Sequence, residues 1–265
     1  MFAASFKSET RKIFTLKTWW ILGLVMFLLT ALSAGTYGLL AMLSDQIPEL
    51  AMIPIDALTI YGSITSAGYV IPLLSGALAT TNEYRHRTLT PTFLAIPKRG
   101  IVFSAKLLTQ LLLGIFYGLL GLVAAVGLGA PLLVAAGYDT ALSDPSTWWL
   151  FLRIIAALAI WGAIGVGLGA LVKNQTVAIV IALVFTQFVE PIIRTIGAAL
   201  DWVREAVEYL PGAATDAFVG ASAYSSLGEA AATGLEWWIG GLVLLTYTAL
   251  VCALGSQISW KKDVS

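Results

Sequence analysis

The chain has 265 residues, of which 58% are hydrophobic and only 11% are charged, and its 15 basic and 15 acidic side chains give a formal net charge of zero. A soluble domain typically carries about a quarter charged residues, so this composition excludes an ordinary soluble protein. The apolar residues form continuous runs of about 20 or more, the length of a helix that crosses a bilayer. They do not alternate with polar residues as barrel strands do, and the sequence therefore predicts an all-α polytopic membrane protein.

The first 17 residues mix apolar and basic side chains. Phe6, Ile13 and Phe14 fall among basic residues at a spacing that suits a short amphipathic helix on the inner leaflet, facing anionic membrane lipids. The alternative is an irregular basic flank that only orients the chain. The apolar run that follows is too long for the core of a cleaved signal peptide, so we interpret it as the first span.

Six spans are predicted within a single transmembrane domain, 1–265. The second and third flank a polar segment at 81–100, and the fifth and sixth flank a segment at 199–236 that is too polar to cross. We expect the latter to form short amphipathic helices on the outer, extracellular surface, with partial re-entry as an open alternative. The predicted spans are 18–43, 55–80, 101–136, 148–172, 176–198 and 237–258.

The basic residues decide the orientation, because cytoplasmic loops carry an excess of Lys and Arg. With both termini inside, only Arg153, Arg194 and Arg204 fall in the outer half. We therefore place both termini in the cytoplasm and the chain in the cell membrane, as a multi-pass protein of the bacterial cytoplasmic membrane. The residues assigned to the inner side are Lys7, Arg11, Lys12, Lys17, Arg85, Arg87, Lys98, Arg99, Lys106, Lys173, Lys261 and Lys262.

Reactive and metal-binding side chains are scarce. Cys252 is the single cysteine and lies inside the last apolar run, so no intrachain disulfide can form. His86 is the single histidine, which excludes a multi-histidine metal site within the chain. We predict no catalytic residue, no metal ligand and no nucleic-acid partner.

Three charged residues fall within the predicted spans. Arg153 lies about five residues below the outer aromatic belt and Glu190 about fourteen residues above the inner turn, so their depths nearly match. Arg194 lies one turn further out. Charges in a bilayer are costly and usually paired or functional. We expect Glu190 to pair with Arg153 or Arg194, either as a structural lock between spans or as a gate near the outer mouth.

The inner half of the fourth predicted span is rich in glycine. Gly162, Gly165, Gly167 and Gly169 follow one another at short intervals. Gly165 and Gly169 form a small-xxx-small pair, which predicts the close approach of a neighbouring helix.

The segment 81–100 is a polar island between two apolar runs. Its basic residues exclude it from hydrocarbon, yet it also carries Leu89, Phe93 and Leu94, which a solvated loop does not need. Together these properties favour a docking element on the inner face for a soluble partner. Pro91 cannot occupy a helix interior without a kink, so we predict it as the first helical residue, with Thr90 as the cap. The candidate docking residues are Glu83, Tyr84, Arg85, Arg87, Thr88, Leu89, Phe93, Leu94, Pro97 and Arg99.

Several short motifs follow one another in and after this island: Glu83-Tyr84-Arg85-His86-Arg87-Thr88, Thr92-Phe93-Leu94, Pro97-Lys98-Arg99 and Ala105-Lys106-Leu107. This pattern resembles the permease subunits of type-2 ATP-binding-cassette (ABC) exporters. In that family the stretch after the second span supplies the coupling helix, which docks on the ATPase. The resemblance covers nearly the whole chain in order, because it continues at Ser8-Glu9 to Trp19, Gly165 to Asn174, Val189-Glu190-Pro191 and Tyr209 to Ala214.

The resemblance implies the membrane subunit of an exporter, with an amphipathic or hydrophobic substrate such as a drug, a peptide antibiotic, a lipid or a glycolipid. It implies two copies of a separate cytoplasmic ATPase subunit, which would bind ATP and Mg, and a second permease copy or a paralogue. The chain has no G-x-x-x-x-G-K-[ST] phosphate loop, so we do not expect it to be an enzyme.

Three other functions stay open at this point. A gradient-driven secondary transporter favours internal repeats and carboxylates near the midplane, and neither is evident. An intramembrane enzyme needs a nucleophile–base pair, paired aspartates or a metal, and His86 lies on the wrong element. A non-transporting membrane scaffold or sensor is compatible with the sequence.

Overall fold

In the computed structural model of the protein, every regular element among the described residues is a helix, which confirms the all-α class. The predicted loop at 44–54 and the predicted segment at 199–236 lie partly outside those residues, and Lys261 and Lys262 lie wholly outside them. The structure describes residues 1–44, 47, 56–221 and 234–260.

The chain begins with a short helix, continues through long helices, and carries further short helices between them. A π-helical turn, Phe185–Val189, joins α9 to α10, and a second, Ser256–Trp260, follows α13. The α-helices are α1 (Phe2–Thr15), α2 (Thr18–Leu43), α3 (Ala57–Gly62), α4 (Ile64–Gly68), α5 (Val70–Arg85), α6 (Leu89–Ala95), α7 (Arg99–Ala135), α8 (Pro145–Val172), α9 (Gln175–Val184), α10 (Glu190–Ala199), α11 (Asp201–Val207), α12 (Pro211–Val219) and α13 (Trp237–Gly255).

Six helical stretches of the described chain are long and apolar enough to cross a membrane, which confirms the predicted number of candidate spans. The second stretch, Ala57–Arg85, comprises α3, α4 and α5, and the fifth, Gln175–Gly197, contains α9, the π-turn and most of α10. The first, third and fourth are α2, α7 and α8, and the sixth is Trp237–Ile258. These lengths and compositions are compatible with a multi-pass membrane protein.

The helices α5 and α8 occupy the centre of the bundle. The most apolar window is 82% buried in the stretch Ala57–Arg85 and 72% buried in Pro145–Val172, against 17% in Trp237–Ile258. α8 packs against α5, α7 and α13, and α2 packs on the other side of α7. The outer faces of α2, α9 and α13 are therefore apolar and open, as expected of helices that face lipid or another apolar surface.

Glycines set the distance between α5 and α8. A Cβ atom added to Gly165 would lie 2.1 Å from the Leu73 carbonyl oxygen, and one added to Gly76 would lie 2.2 Å from the Gly162 oxygen. A Cβ atom on Gly169 would meet the Ala77 oxygen at 2.6 Å. The two backbones are thus in direct contact, which is the role that the small-xxx-small spacing predicts for Gly165 and Gly169.

The fifth stretch departs from α-helical geometry immediately before a proline. Pro191 has no N–H group to donate to the carbonyl of Gln187, four residues earlier, so the regular hydrogen-bond ladder cannot continue there. The chain accommodates this with the π-turn Phe185–Val189, and α10 then begins at Glu190. π-Turns inside α-helices occur often at functional sites.

The segment between the fifth and sixth stretches contains one helix at the surface, as predicted, and one that enters the bundle, which accords with the re-entrant alternative. α11 is the surface helix, because Trp202 is 82% exposed. α12 is the buried one: every one of its residues except Phe218 is buried, and it packs against α13 and α8. Its small residues permit this, since a Cβ atom on Gly240 of α13 would lie 2.5 Å from the Ala214 oxygen.

Candidate functional site

The short helix α6 lies between the second and third candidate spans and has one apolar face turned inward. Leu89 is 1% exposed and packs with residues of α7, α8 and α13, and Phe93 and Ile96 border the same cluster. These three residues follow the i, i+4, i+7 spacing of one helix face. The Arg99 guanidinium also stacks on the Phe93 ring, 4.9 Å from its centroid. α6 is therefore seated firmly on the bundle.

The opposite face of α6 is exposed and mixed in character. Leu94 is 79% exposed, whereas Leu89 on the inner face is buried and Phe93 is half-buried. Exposed basic residues lie nearby in the sequence, at Arg85, Arg87 and Lys98. An exposed apolar side chain among arginine and lysine residues is compatible with a protein contact surface, where arginine is enriched. We name Leu94 with Arg85, Arg87 and Lys98 the α6 surface.

The predicted start of α6 is wrong by two residues. The helix begins at Leu89 with Thr88 at the N-cap, so Thr90 is not the cap and Pro91 is the third helical residue. Pro91 is tolerated there because the first N–H groups of any helix have no partner within the helix. Pro91 therefore causes no kink, and its exposed ring lies on the outer face.

The turn that joins α5 to α6 is tight and carries a left-handed arginine. Arg87 has φ 53°, and the N–H groups of Arg87 and Thr88 donate to the carbonyls of Tyr84 at 3.3 Å and Glu83 at 3.0 Å. This is the Schellman pattern, in which glycine is usual at the left-handed position. An arginine there costs of order 1 kcal/mol of strain, which favours a role for its exposed side chain.

Four charged residues meet at the same end of the bundle, three of them buried and Lys12 partly exposed, and we name them the α1 charge cluster: Glu9, Lys12, Glu83 and Lys106. The Lys12 ammonium donates to Glu9 Oε1 at 2.6 Å and to Glu83 Oε1 at 2.5 Å. The Lys106 ammonium donates to Glu9 Oε2 and, at 3.1 Å, to the Ala79 carbonyl, and lies 3.3 Å from Glu83 Oε1. The cluster joins α1 to α5 and α7.

This cluster changes the interpretation of two predicted docking residues. Glu83 is 4% exposed and Leu89 is 1% exposed, so neither faces outward towards a partner. Glu83 holds α1, and Leu89 seats α6. Tyr84 is half-buried beside the same apolar cluster, and Arg85 donates to the Gln175 amide oxygen at 2.9 Å, tying α5 to the start of α9. Glu83, Tyr84 and Leu89 therefore position the α6 surface, and Arg85, one of its members, is itself held by Gln175.

The charges in the cluster hold α1 residues in their ionised forms. Burial alone would raise the pKa of Glu9, but the charges and hydrogen bonds of Lys106 and Lys12 outweigh it and lower the pKa. Burial alone would lower the pKa of Lys12, but Glu83 and Glu9 outweigh it and raise that pKa. Each group therefore stabilises the folded state while it is charged.

We expect acidification to weaken the attachment of α1. The stabilisation from Glu9 is complete above its ordinary pKa of 4.5 and is lost as the pH falls through the lowered value. The stabilisation from Lys12 is complete below its ordinary pKa of 10.5 and is lost as the pH rises through the raised value. Thermal unfolding of the purified protein against pH should show a fall below pH 4.5 that Glu9→Gln flattens; an unchanged acid limb in that variant would contradict the assignment.

A second polar cluster lies where α10 meets the buried helix α12. Glu190 is 1% exposed, and its Oε1 atom accepts a hydrogen bond from the Ala213 N–H at 2.9 Å. That N–H belongs to the first turn of α12, which has no side-chain cap on its own first residues. Glu190 therefore acts as a remote cap, because its carboxyl oxygen accepts from an N–H group that has no partner within α12.

The predicted pairing of Glu190 with Arg194 is in part retained, because the Arg194 charge acts on Glu190, but both predicted arginines also make other contacts. The Arg194 guanidinium donates to Asp216 Oδ2 on α12 at 2.6 Å. The Arg153 guanidinium lies over the Trp237 ring, 4.5 Å from its centroid. The sequence indicates the depth of these residues along their helices but not the contact with Asp216, which depends on the entry of α12 into the bundle.

The sequence carries little signal for the partners in either cluster. Glu9 is an acid in a basic helix, and Lys106 is a single charge near the start of a long apolar run. Those two anomalies could have indicated a buried ion pair, since an unpaired charge would be costly there. Asp216 lies in a segment of small residues with no comparable signal.

A scan against protein-family models and a search of curated proteins give no match for this chain. The function must therefore be argued from the geometry of α6 and its supports, together with the sequence pattern of the island.

Proposed function

We propose that this chain is the transmembrane subunit of an ATP-driven exporter of the type-2 ABC class. The observation that carries the proposal is the α6 surface, on a helix that is packed on its inner side and exposed at Leu94 on its outer side. α6 connects to α5 through residues 86–88 and to α7 through residues 96–98. Because both connections are only three residues long, a displacement of α6 must also displace the ends of α5 and α7.

The supports of α6 suit the transmission of motion. The Arg99–Phe93 stack fixes α6 to the start of α7, and Leu89 fixes it to the neighbouring helices. α5 then contacts α8 through glycines without intervening side chains. A displacement of α6 by a soluble partner would therefore move α5 and α8 as a packed unit, because close-packed interiors transmit strain.

The proposal includes the partners that the sequence pattern implies. Two copies of a cytoplasmic ATPase subunit would bind ATP and Mg and dock on the α6 surface, which places α6 and both termini in the cytoplasm. A second permease copy or a paralogue would complete the path, and the open apolar faces of α2, α9 and α13 offer surface for it. The substrate would be amphipathic or hydrophobic.

We expect Leu94→Asp to abolish recovery of the ATPase while leaving the permease folded. The aspartate would replace the exposed apolar side chain of the α6 surface with a charge. Substitution of a residue at the centre of an interface typically costs about 2 kcal/mol or more of binding free energy. The measurement is purification from native membranes in mild detergent, with identification of co-purifying proteins and vanadate-sensitive ATPase activity.

Ser8→Asp is the matched control, because it adds the same charge at an exposed position of α1, outside α6 and outside the candidate spans. It should retain the ATPase. A wild-type permease that purifies as an ATPase-free oligomer would contradict the proposal and favour a gradient-driven carrier or a membrane scaffold. An ATPase that remains bound to Leu94→Asp would show that docking uses another surface.

A further inference from the structure

The π-turn Phe185–Val189 leaves one backbone carbonyl of the fifth stretch without a donor from its own helix. The Glu190 N–H donates to the Phe185 carbonyl, five residues earlier, and so does not serve Thr186, four residues earlier. The next donor in this ladder would be the N–H of residue 191, but Pro191 has none. The Thr186 carbonyl therefore needs a donor from outside its own helix, because an unpaired backbone group is costly inside a membrane.

A tyrosine of the second stretch supplies that donor. The Tyr69 hydroxyl donates to the Thr186 carbonyl at 3.2 Å, and Tyr69 is only 4% exposed. Tyr69 lies between α4 and α5, where the second stretch passes from one helix to the next. Its ring stacks on Trp161 of α8, with the ring centroids 4.5 Å apart and the planes at 20°. The stack therefore holds the hydroxyl at the π-turn.

The two sides of the π-turn are attached to different parts of the bundle. α9 packs against α5. α10 is bound to α12, because Glu190 accepts from the Ala213 N–H at 2.9 Å and Arg194 donates to Asp216 at 2.6 Å. Long helices kink at prolines and at π-turns, and this stretch has both between its two attachments. The contact with Tyr69 therefore fixes the angle between α9 and α10.

We propose that the π-turn is a hinge in the fifth stretch and that the Tyr69 hydroxyl is its latch. While the hydroxyl binds the Thr186 carbonyl, the second stretch holds the hinge at one angle. A shift of α5 that breaks this bond frees α9 to tilt relative to α10, which stays with α12. Every contact in this device lies within the chain, so the inference does not rest on the proposed export function.

Tyr69→Phe removes the hydroxyl and keeps the ring that stacks on Trp161. Hydrogen–deuterium exchange of the full chain in detergent, read by mass spectrometry, should become about threefold faster in residues 185–199. That factor corresponds to about 0.6 kcal/mol, the average for a hydrogen bond between membrane helices. Tyr61→Phe is the matched control, because it removes the hydroxyl of another buried tyrosine, which donates to the Thr140 carbonyl at 3.0 Å. It should leave exchange in 185–199 unchanged.

Pro191→Ala distinguishes a latch from a general packing role of Tyr69. It returns an N–H group to position 191, so the Thr186 carbonyl gains a donor from its own helix. Exchange in 185–199 should become slower than in the wild type, and adding Tyr69→Phe should then have little further effect. If Tyr69→Phe alone fails to fold, recovery of folding by Pro191→Ala supports the latch, and continued failure contradicts it.

Three other outcomes would overturn the inference. Equal exchange in the wild type and Tyr69→Phe would show that the hydroxyl does not hold the π-turn. The same increase in Tyr61→Phe would indicate a general loosening of the bundle. An effect of Tyr69→Phe that is as large with Pro191→Ala as without it would assign the role of Tyr69 to a contact other than the one with Thr186.

Discussion

Lys106→Met is expected to destabilise the protein by about 3–5 kcal/mol, the usual result of removing one partner from a buried ion pair. Lys106 is 1% exposed and serves Glu9, Glu83 and the Ala79 carbonyl. Methionine nearly matches its volume, so packing is kept while two buried carboxylates are left to share Lys12. The measurement is the midpoint of unfolding in detergent, together with hydrogen exchange of α1, which should increase.

A double variant separates lost charge from general damage. Glu9→Gln with Lys106→Met removes one charge of each sign and leaves the Lys12–Glu83 pair at 2.5 Å. We expect the double variant to be more stable than Lys106→Met alone. A double-mutant cycle then gives the coupling energy between Glu9 and Lys106. Lys98→Met, at an exposed position, should have little effect. A Lys106→Met protein as stable as Lys98→Met would show that the cluster does not hold α1.

The coarse architecture could be predicted because it follows from local composition. Runs such as 18–43 are long and apolar enough to identify helices without any tertiary information. The inward face of α6 could also be expected, since Leu89, Phe93 and Ile96 share one side of any helix built from that segment. Its exact start could not, because Pro91 fits the first turn of a helix at more than one position.

The buried polar contacts could not be predicted, because they join residues far apart in the chain. Lys106 and Glu9 meet only after α1 folds back against α7, and no spacing in the sequence encodes that contact. Asp216 reaches Arg194 only because α12 is buried. The sequence left the surface and partial re-entry open for this segment, and the small residues of α12, which allow burial against α13, outweigh its polar surroundings.

Gly165→Ala is expected to destabilise the bundle by at least about 1–3 kcal/mol, the range for overpacking a well-filled core. The new methyl group would lie 2.1 Å from the Leu73 carbonyl oxygen and 3.0 Å from the Ala77 nitrogen. Both are backbone atoms, so no side-chain rotation can relieve the contact and α5 must move away from α8. The unfolding midpoint in detergent and the yield of monodisperse protein report the loss.

Gly127→Ala is the matched control, because a Cβ atom there meets nothing within 4 Å and the residue lies in the exposed part of α7. Alanine in a helix is favoured over glycine, so this variant should gain about 0.5–1 kcal/mol. If Gly165→Ala lowers the stability and Gly127→Ala raises it, the loss is due to the α5–α8 contact, because the chemical change is the same in both variants. Equal effects would mean that the two helices are not in direct backbone contact, and α8 would then lose its place in the proposed path from the α6 surface to the spans.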